Sequence, residues 1–240
     1  MKHKMIIAYD GTDFLGWQTQ GNGKTVQEII ETALFQITQK KIVVTGSGRT
    51  DSGVHAEGQV AHFILENSPV CLKSLNSLLP TAIRVLSIEE ADPNFHARFS
   101  AKEKIYHYHI TTDKVQLPTL RRFALHSTFP LDLEKILEAI PHFLGTKNFA
   151  SFANELNPKK NPIKTLYELS LNPTQTGFTL KFRGNGFLYK MVRNITGTLL
   201  DIGRGKIAPN SIPEILNAHS RPFAGKTAPP HGLFLQTVLY

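Results

Sequence analysis

The sequence predicts an α+β fold, on three observations. Short apolar segments with strand character are separated by helical patterns, these follow no repeated parallel βαβ rhythm, and 41% hydrophobic residues with 15 Phe and 6 Tyr supply a core. The first strand is expected over residues 4–9, ended by the turn formers Asp10 and Gly11. A loop with the only tryptophan, Trp17, follows. Val26, Ile29, Ile30, Ala33, Leu34 and Ile37 then recur at helical spacing, and Thr25 followed by Glu28 makes a capping box, so an amphipathic helix starts at Val26. Residues 42–45 and 58–65 read as strands, 72–79 as a helix stopped by Pro80, and 83–89 as a strand.

The second half repeats this grammar. Residues 106–110 alternate as a strand with two differently used faces, 131–143 read as a helix apart from Pro141, and 165–171 and 179–182 read as strands. Residues 187–202 read as one long helix. Its buried stripe is Phe187, Leu188, Met191, Val192, Ile195, Leu199 and Ile202, while Lys190 and Arg193 share another face. Residues 233–239 form a last strand that ties the C-terminal end into a sheet. The expected organisation is an N-terminal α/β domain over 1–103 and a C-terminal basic α/β domain over 104–240.

Charge divides at the same point. The whole chain has 27 Lys plus Arg against 19 Asp plus Glu, a net charge of +8, yet residues 1–103 hold 10 basic and 11 acidic side chains and residues 104–240 hold 17 and 8. An excess of +9 in one half points to a polyanionic partner, because cationic side chains displace counterions condensed on phosphates. The close pairs Arg121 with Arg122, Lys159 with Lys160, Lys181 with Arg183, Lys190 with Arg193 and Arg204 with Lys206 are spread over many elements. That spread fits a folded cleft better than a basic tail. A single cysteine, Cys71, excludes a disulfide framework and a cysteine zinc site and fits a reducing cytoplasm. No segment approaches the roughly 18 apolar residues of a membrane span, and no export signal is read at the N-terminus.

The most unusual stretch is TGSGRTDSGVHA, residues 45–56, where Gly46, Gly48 and Gly53 surround Arg49, Asp51 and His55. Such glycines let backbone approach another molecule closely. The P-loop lysine, the GxGxxG spacing and the GxSxG elbow are all missing. Asp51 is the one acid of the loop, and the neighbouring Arg49 guanidinium favours its ionised form. An ionised carboxylate can act as nucleophile or base, and it can equally cap a turn; the residues alone leave both readings open.

GRTDSGVHA resembles the GRTDAGVHA signature of the bacterial TruA family of tRNA pseudouridine synthases. The resemblance continues through YDGTDFLGWQ (9–18), NFHARFSAKEKIYHYHI (94–110), GFLYKMVRNITGTLLDIGRG (186–205) and APPHGLFLQTVLY (228–240). It implies two α/β halves sharing a continuous mixed, mainly antiparallel sheet flanked by helices, with a central RNA-binding cleft. It also implies isomerisation of uridine to pseudouridine in the anticodon arm of tRNA, at positions 38, 39 and 40, without cofactor or metal and commonly as a homodimer. Carried across by motif, Asp51 resembles the catalytic aspartate and Arg49 the loop arginine that enters the RNA. Tyr106 resembles the tyrosine that stacks on the uracil, and Arg193 the arginine that pairs with the aspartate. Lys190 is expected to contact RNA, and Leu233 to line the pocket.

The chain departs from the family pattern at three places. Ser52 stands where alanine is usual, Thr81 and Ala82 replace a segment with Asp after Pro80, and Lys147 and Asn148 replace a histidine–aspartate pair. None is Asp51, Tyr106 or Arg193, so they bear on substrate preference. His107 and His109 share a strand face, but no third ligand lies at a metal-binding spacing; His55 is expected to support the loop by hydrogen bonding. The alternative from another class is a non-catalytic RNA-binding or folding-helper protein using the same basic cleft. A binder needs the cations but not the acid. Whether the aspartate attacks C6 of uracil or C1′ of ribose is open at this level.

Overall fold

A computed structural model describes residues 1–21, 23–66, 70–154 and 161–240. The pair Lys159 and Lys160 lies outside the described residues. The fold is α+β, with a mixed, mostly antiparallel sheet and, among the described residues, five α-helices. Two compact units make up the chain, residues 1–102 with 234–240 and residues 103–233.

In the first unit β1 (Lys2–Tyr9) lies antiparallel between β4 (Ile83–Ala91) and β3 (His55–Ile64). The strand β10 (Leu233–Leu239) runs parallel to β3, with Phe234 opposite His55, and the short β2 (Thr45–Gly46) pairs with β3 on its way to the loop. Alternation along β1 buries Met5, Ile7 and Tyr9, which meet a core that includes Phe63, Ile30, Leu34 and Leu75. Helix α1 (Val26–Thr38) starts where expected, the Thr25 hydroxyl accepting the Glu28 amide at 3.4 Å. It ends at Gln39, whose backbone turns left-handed at φ 56°. Helix α2 (Leu72–Leu78) stops before Pro80. Residues 42–44 do not extend a strand, because the Val44 amide is taken by the Glu31 carboxylate at 2.9 Å.

In the second unit the order is β5 (Glu103–Thr111), β9 (Gly177–Gly184), β8 (Ile163–Thr174), β7 (Gly145–Asn148), all antiparallel, with β6 (Leu125–His126) parallel to β5. Strand β5 buries Tyr106, Tyr108 and Ile110 and leaves His107 and His109 half-buried on the opposite face. The expected helix over 131–143 divides: α3 (Leu133–Ala139) is capped by Asp132, and residues 140–143 tighten into a 3₁₀ turn because Pro141 lacks an amide hydrogen. A further short helix, α5 (Ile212–Asn217), lies in a proline-punctuated stretch.

The long helix also differs from expectation. Helix α4 spans Met191–Gly203, four residues shorter at its start, because Lys190 takes a left-handed backbone at φ 61° and caps it. The residues before it form a loop in which the Tyr189 carbonyl accepts the Asn154 amide at 3.3 Å. Lys190 therefore does not share a helix face with Arg193. Phe187 and Leu188 are half-buried loop residues, and α4 is buried nearly all round, including the polar Asn194, Thr196 and Thr198. No helix among the described residues is long and apolar enough to cross a membrane.

Candidate active site

The loop carrying Asp51 is held in a cradle made by residues 9–18. Its entry is fixed by β3: the Ser47 amide donates to the Val60 carbonyl at 2.7 Å, and Gln59 bridges, accepting from the Ser47 hydroxyl at 2.7 Å and donating to the Gly48 carbonyl at 2.9 Å. One residue before Asp51, the Thr50 hydroxyl is bonded to the Tyr9 phenol at 2.8 Å, and the Thr50 carbonyl accepts the Trp17 amide at 3.2 Å. One residue after it, the Ser52 hydroxyl donates to the Phe14 carbonyl at 3.2 Å, which also accepts the Gly53 amide at 3.3 Å. The Asp51 carbonyl itself accepts the Val54 amide at 3.1 Å, closing a turn. Asp51 is half-buried, pinned on both sides by bonded backbone.

The cradle needs close backbone approach. Gly16 has φ +84°, and a Cβ there would lie 2.4 Å from the Thr50 carbonyl oxygen. His55 closes the loop: it is fully buried, accepts the Gly11 amide at Nδ1 over 3.0 Å, and stacks on Phe234 with centroids 4.5 Å apart. Burial of Tyr9 raises its phenol well above the usual tyrosine value, outweighing the bonds from Thr50 and Gln59, so it remains a neutral strut. Arg49 is exposed, and its Nε donates to the Gln18 side chain at 2.7 Å. Tyr9, Gly16, Trp17 and Gln18 were not singled out as site residues on the sequence. The signal for them was a turn-rich segment with the only tryptophan, but its bonds to the loop with Asp51 bridge more than 30 positions.

The other candidate residues lie in the second unit. Tyr106 is buried on β5 with Phe187 edge-on against it, centroids 5.1 Å apart at 82°. Arg193, in the first turn of α4, is half-buried and donates from Nε to the Ala228 carbonyl at 2.8 Å, while the Ala228 amide donates to the Arg193 carbonyl at 3.0 Å. Next to them the Tyr108 phenol, raised by burial against the lowering influence of Arg193, donates to the Pro229 carbonyl at 2.8 Å. Leu233 is buried where β10 begins. The Lys190 ammonium sits over the Tyr189 ring, 4.9 Å from its centroid.

The cations of this unit are unequally available. Lys181 pairs with Glu168 at 3.1 Å, and Arg183 with Glu103 at 3.1 Å and Glu168 at 3.8 Å. Arg204 and Lys206 each approach Asp201 at 3.9 Å. Lys190 makes no ion pair with a described residue. His107 and His109 have ring centroids 6.1 Å apart, and His109 is bonded to the Thr179 hydroxyl at 2.8 Å. Among the described residues no three His, Cys, Asp or Glu side chains gather as a metal site.

Comparison with known proteins bears on what this arrangement does. A family profile described as tRNA pseudouridine synthase matches residues 5–100 and 139–240. The chain is 45% identical to tRNA pseudouridine synthase A 1 of Protochlamydia amoebophila, covering 99% of this chain and 96% of that protein. It is 44% identical to tRNA pseudouridine synthase A of Bacillus pumilus, covering 100% and 99%. A Thermoanaerobacter protein of the same name is 40% identical over the full length of both.

Proposed function

The chain belongs to the tRNA pseudouridine synthase family, and from that premise we propose that Asp51 is the nucleophile of an enzyme that isomerises uridine in the anticodon stem-loop, at positions 38, 39 and 40. Synthesis of pseudouridine in tRNA follows from the family. The choice of site and residues is our reading, and the observation that carries it is the loop over 45–56, which fixes the backbone on either side of one half-buried carboxylate.

Each proposed role has a physical reason. A uridine inside a stem must leave the stack before its glycosidic bond can be broken, at a cost of a few kcal/mol. Arg49, exposed beside the loop, enters the RNA in its place and binds phosphate. Tyr106 gives the extruded uracil a stacking face worth about 1–3 kcal/mol, and Leu233 lines the pocket. Asp51 breaks the bond between N1 and C1′ by attacking the nucleoside. The uracil rotates, C5 bonds to C1′ while the bond formed with Asp51 breaks and frees the carboxylate, the C5 proton leaves with help from Tyr106, and the freed N1 takes up a proton. Arg193 is assigned as the arginine that pairs with the Asp51 carboxylate. Residues 104–240 supply the cations that hold the RNA, Lys190 among them, and residues 1–103 supply the acid. The protein works as a cytoplasmic homodimer without cofactor.

Release of tritium from tRNA labelled at C5 of uridine tests this. The unaltered protein should release label and Asp51→Asn should not. Equal release by both would sink the nucleophile assignment. Binding without release by either would favour the non-catalytic RNA-binding reading.

A further inference from the structure

Among the described residues, Arg221 is an arginine with no acid partner. Its half-buried guanidinium donates from Nη2 to the Gly225 carbonyl at 2.8 Å, the Thr227 hydroxyl at 3.0 Å and the Asn194 side-chain oxygen at 3.0 Å, from Nη1 to the Ala224 carbonyl at 3.1 Å, and from Nε to Asn154 at 3.5 Å. Among the described residues no carboxylate comes within ion-pair distance. Burial accordingly lowers its pKa from the usual arginine value. A half-buried cation that meets only neutral acceptors among the described residues gives up part of its hydration without a countercharge, so what those acceptors do is informative.

All of them belong to one bracket around Arg193. Asn194, its neighbour on α4, is fully buried; its amide donates to the Phe152 carbonyl at 2.7 Å and to Asn154 at 2.9 Å, and its oxygen also accepts the Thr227 hydroxyl at 2.7 Å. The segment 224–228 that Arg221 grips lies directly on α4. The Gly225 amide donates to the Thr198 hydroxyl at 2.9 Å, the Lys226 carbonyl fills the space beside Gly197, and Ala228 exchanges two bonds with Arg193. One of those two, from Nε of Arg193 to the Ala228 carbonyl, fixes the plane of the Arg193 guanidinium. Moving segment 224–228 therefore turns Arg193.

We propose that Arg221 is a positioning residue for the uridine isomerisation: by clamping segment 224–228 and Asn194, it sets the orientation of the Arg193 guanidinium. The inference rests on the reading of Arg193 given above. It makes Arg221 act on the chemical step through Arg193, without touching RNA.

A double-mutant cycle tests it, with single-turnover rates and tRNA affinity measured for Arg221→Gln, Arg193→Lys and the pair. Arg221→Gln should slow the rate about 10–100-fold, an effect of the size a displaced catalytic group produces, with affinity changed less than about threefold. The pair should be no slower than Arg193→Lys alone. Rate losses that multiply, or a loss confined to affinity, would overturn the proposal. If Arg221→Gln fails to fold, Thr227→Val removes one member of the clamp and should show the same pattern at smaller size. Should Arg193→Lys prove fully active, the reading of Arg193 itself falls. Multiplying losses with an impaired Arg193→Lys would remove only the role of Arg221.

Discussion

The Tyr9 phenol and the Thr50 hydroxyl lie 2.8 Å apart in a buried site, joining the end of the first strand to the residue before Asp51. They are 41 positions apart in the chain. The bond makes the position of the carboxylate a property of the strand, which is packed on both edges, and not of the loop.

Tyr9→Phe should therefore act on stability and on rate together. It keeps the ring and strands the Thr50 hydroxyl, at a cost of about 1–2 kcal/mol. A denaturant midpoint should fall accordingly, and the single-turnover rate should drop while tRNA affinity holds. An unchanged rate in a destabilised protein would show that the cradle serves folding alone.

Stability should also respond to pH at both ends. Burial raises the phenols of Tyr9, Tyr108 and Tyr240 above the value of 10.0 at which the unfolded chain ionises. Below pH 10 both states hold these protons and stability does not change. Above it the unfolded state loses them first, so stability falls as pH rises, by up to about 1.4 kcal/mol per pH unit for each of Tyr9 and Tyr108. On the acid side, His62 and His231 lie below the usual 6.5, mainly through burial. The unfolded state then binds protons first as pH drops below 6.5, and stability falls there too. Melting temperature should fall on both sides of these limits; a level profile beyond pH 10 would contradict the buried phenols.

Much of this was legible in the sequence, for identifiable reasons. The strand over 233–239 and the helix from Val26 depend on local alternation and capping, and both stand where the pattern puts them. The start of α4 was misread because Phe187 and Leu188 continue its apolar spacing, while the left-handed turn at Lys190 leaves no periodic trace. Residues 42–44 look like a strand until Glu31 takes the amide of Val44, a bond across 13 positions. The loop with Asp51 could be singled out by its glycines and its lone acid. The residues that hold it could not, because Tyr9, Phe14 and Trp17 act through bonds that only the fold brings about.

Charge asymmetry predicted an anion-binding half, and the ion pairs sort which cations remain for it. Lys181 is engaged by Glu168, whereas Lys190 has no acid partner among the described residues. Lys190→Ala should weaken tRNA binding and reduce the slope of log affinity against log salt by about one. Lys181→Ala should change the slope little. Equal effects would mean that the pairing with Glu168 gives way when RNA binds.

Gly197 sets two general rules against each other. It lies in the middle of α4, where replacing glycine by alanine normally stabilises a helix by about 1 kcal/mol. A Cβ at this position, however, would lie 1.6 Å from the Lys226 carbonyl oxygen and 2.8 Å from its carbon, both of them backbone. No side-chain rotation relieves that overlap, so α4 and segment 224–228 must part. Overpacking typically costs about 1–3 kcal/mol and occasionally more, and an overlap of backbone with backbone lies at the upper end, above the propensity gain. Parting them also stretches the two bonds between Arg193 and Ala228. Gly197→Ala should thus lower the denaturant midpoint and slow turnover even where the protein is fully folded. A stabilised variant would show that the segment can move away freely, and would argue against a fixed Arg193.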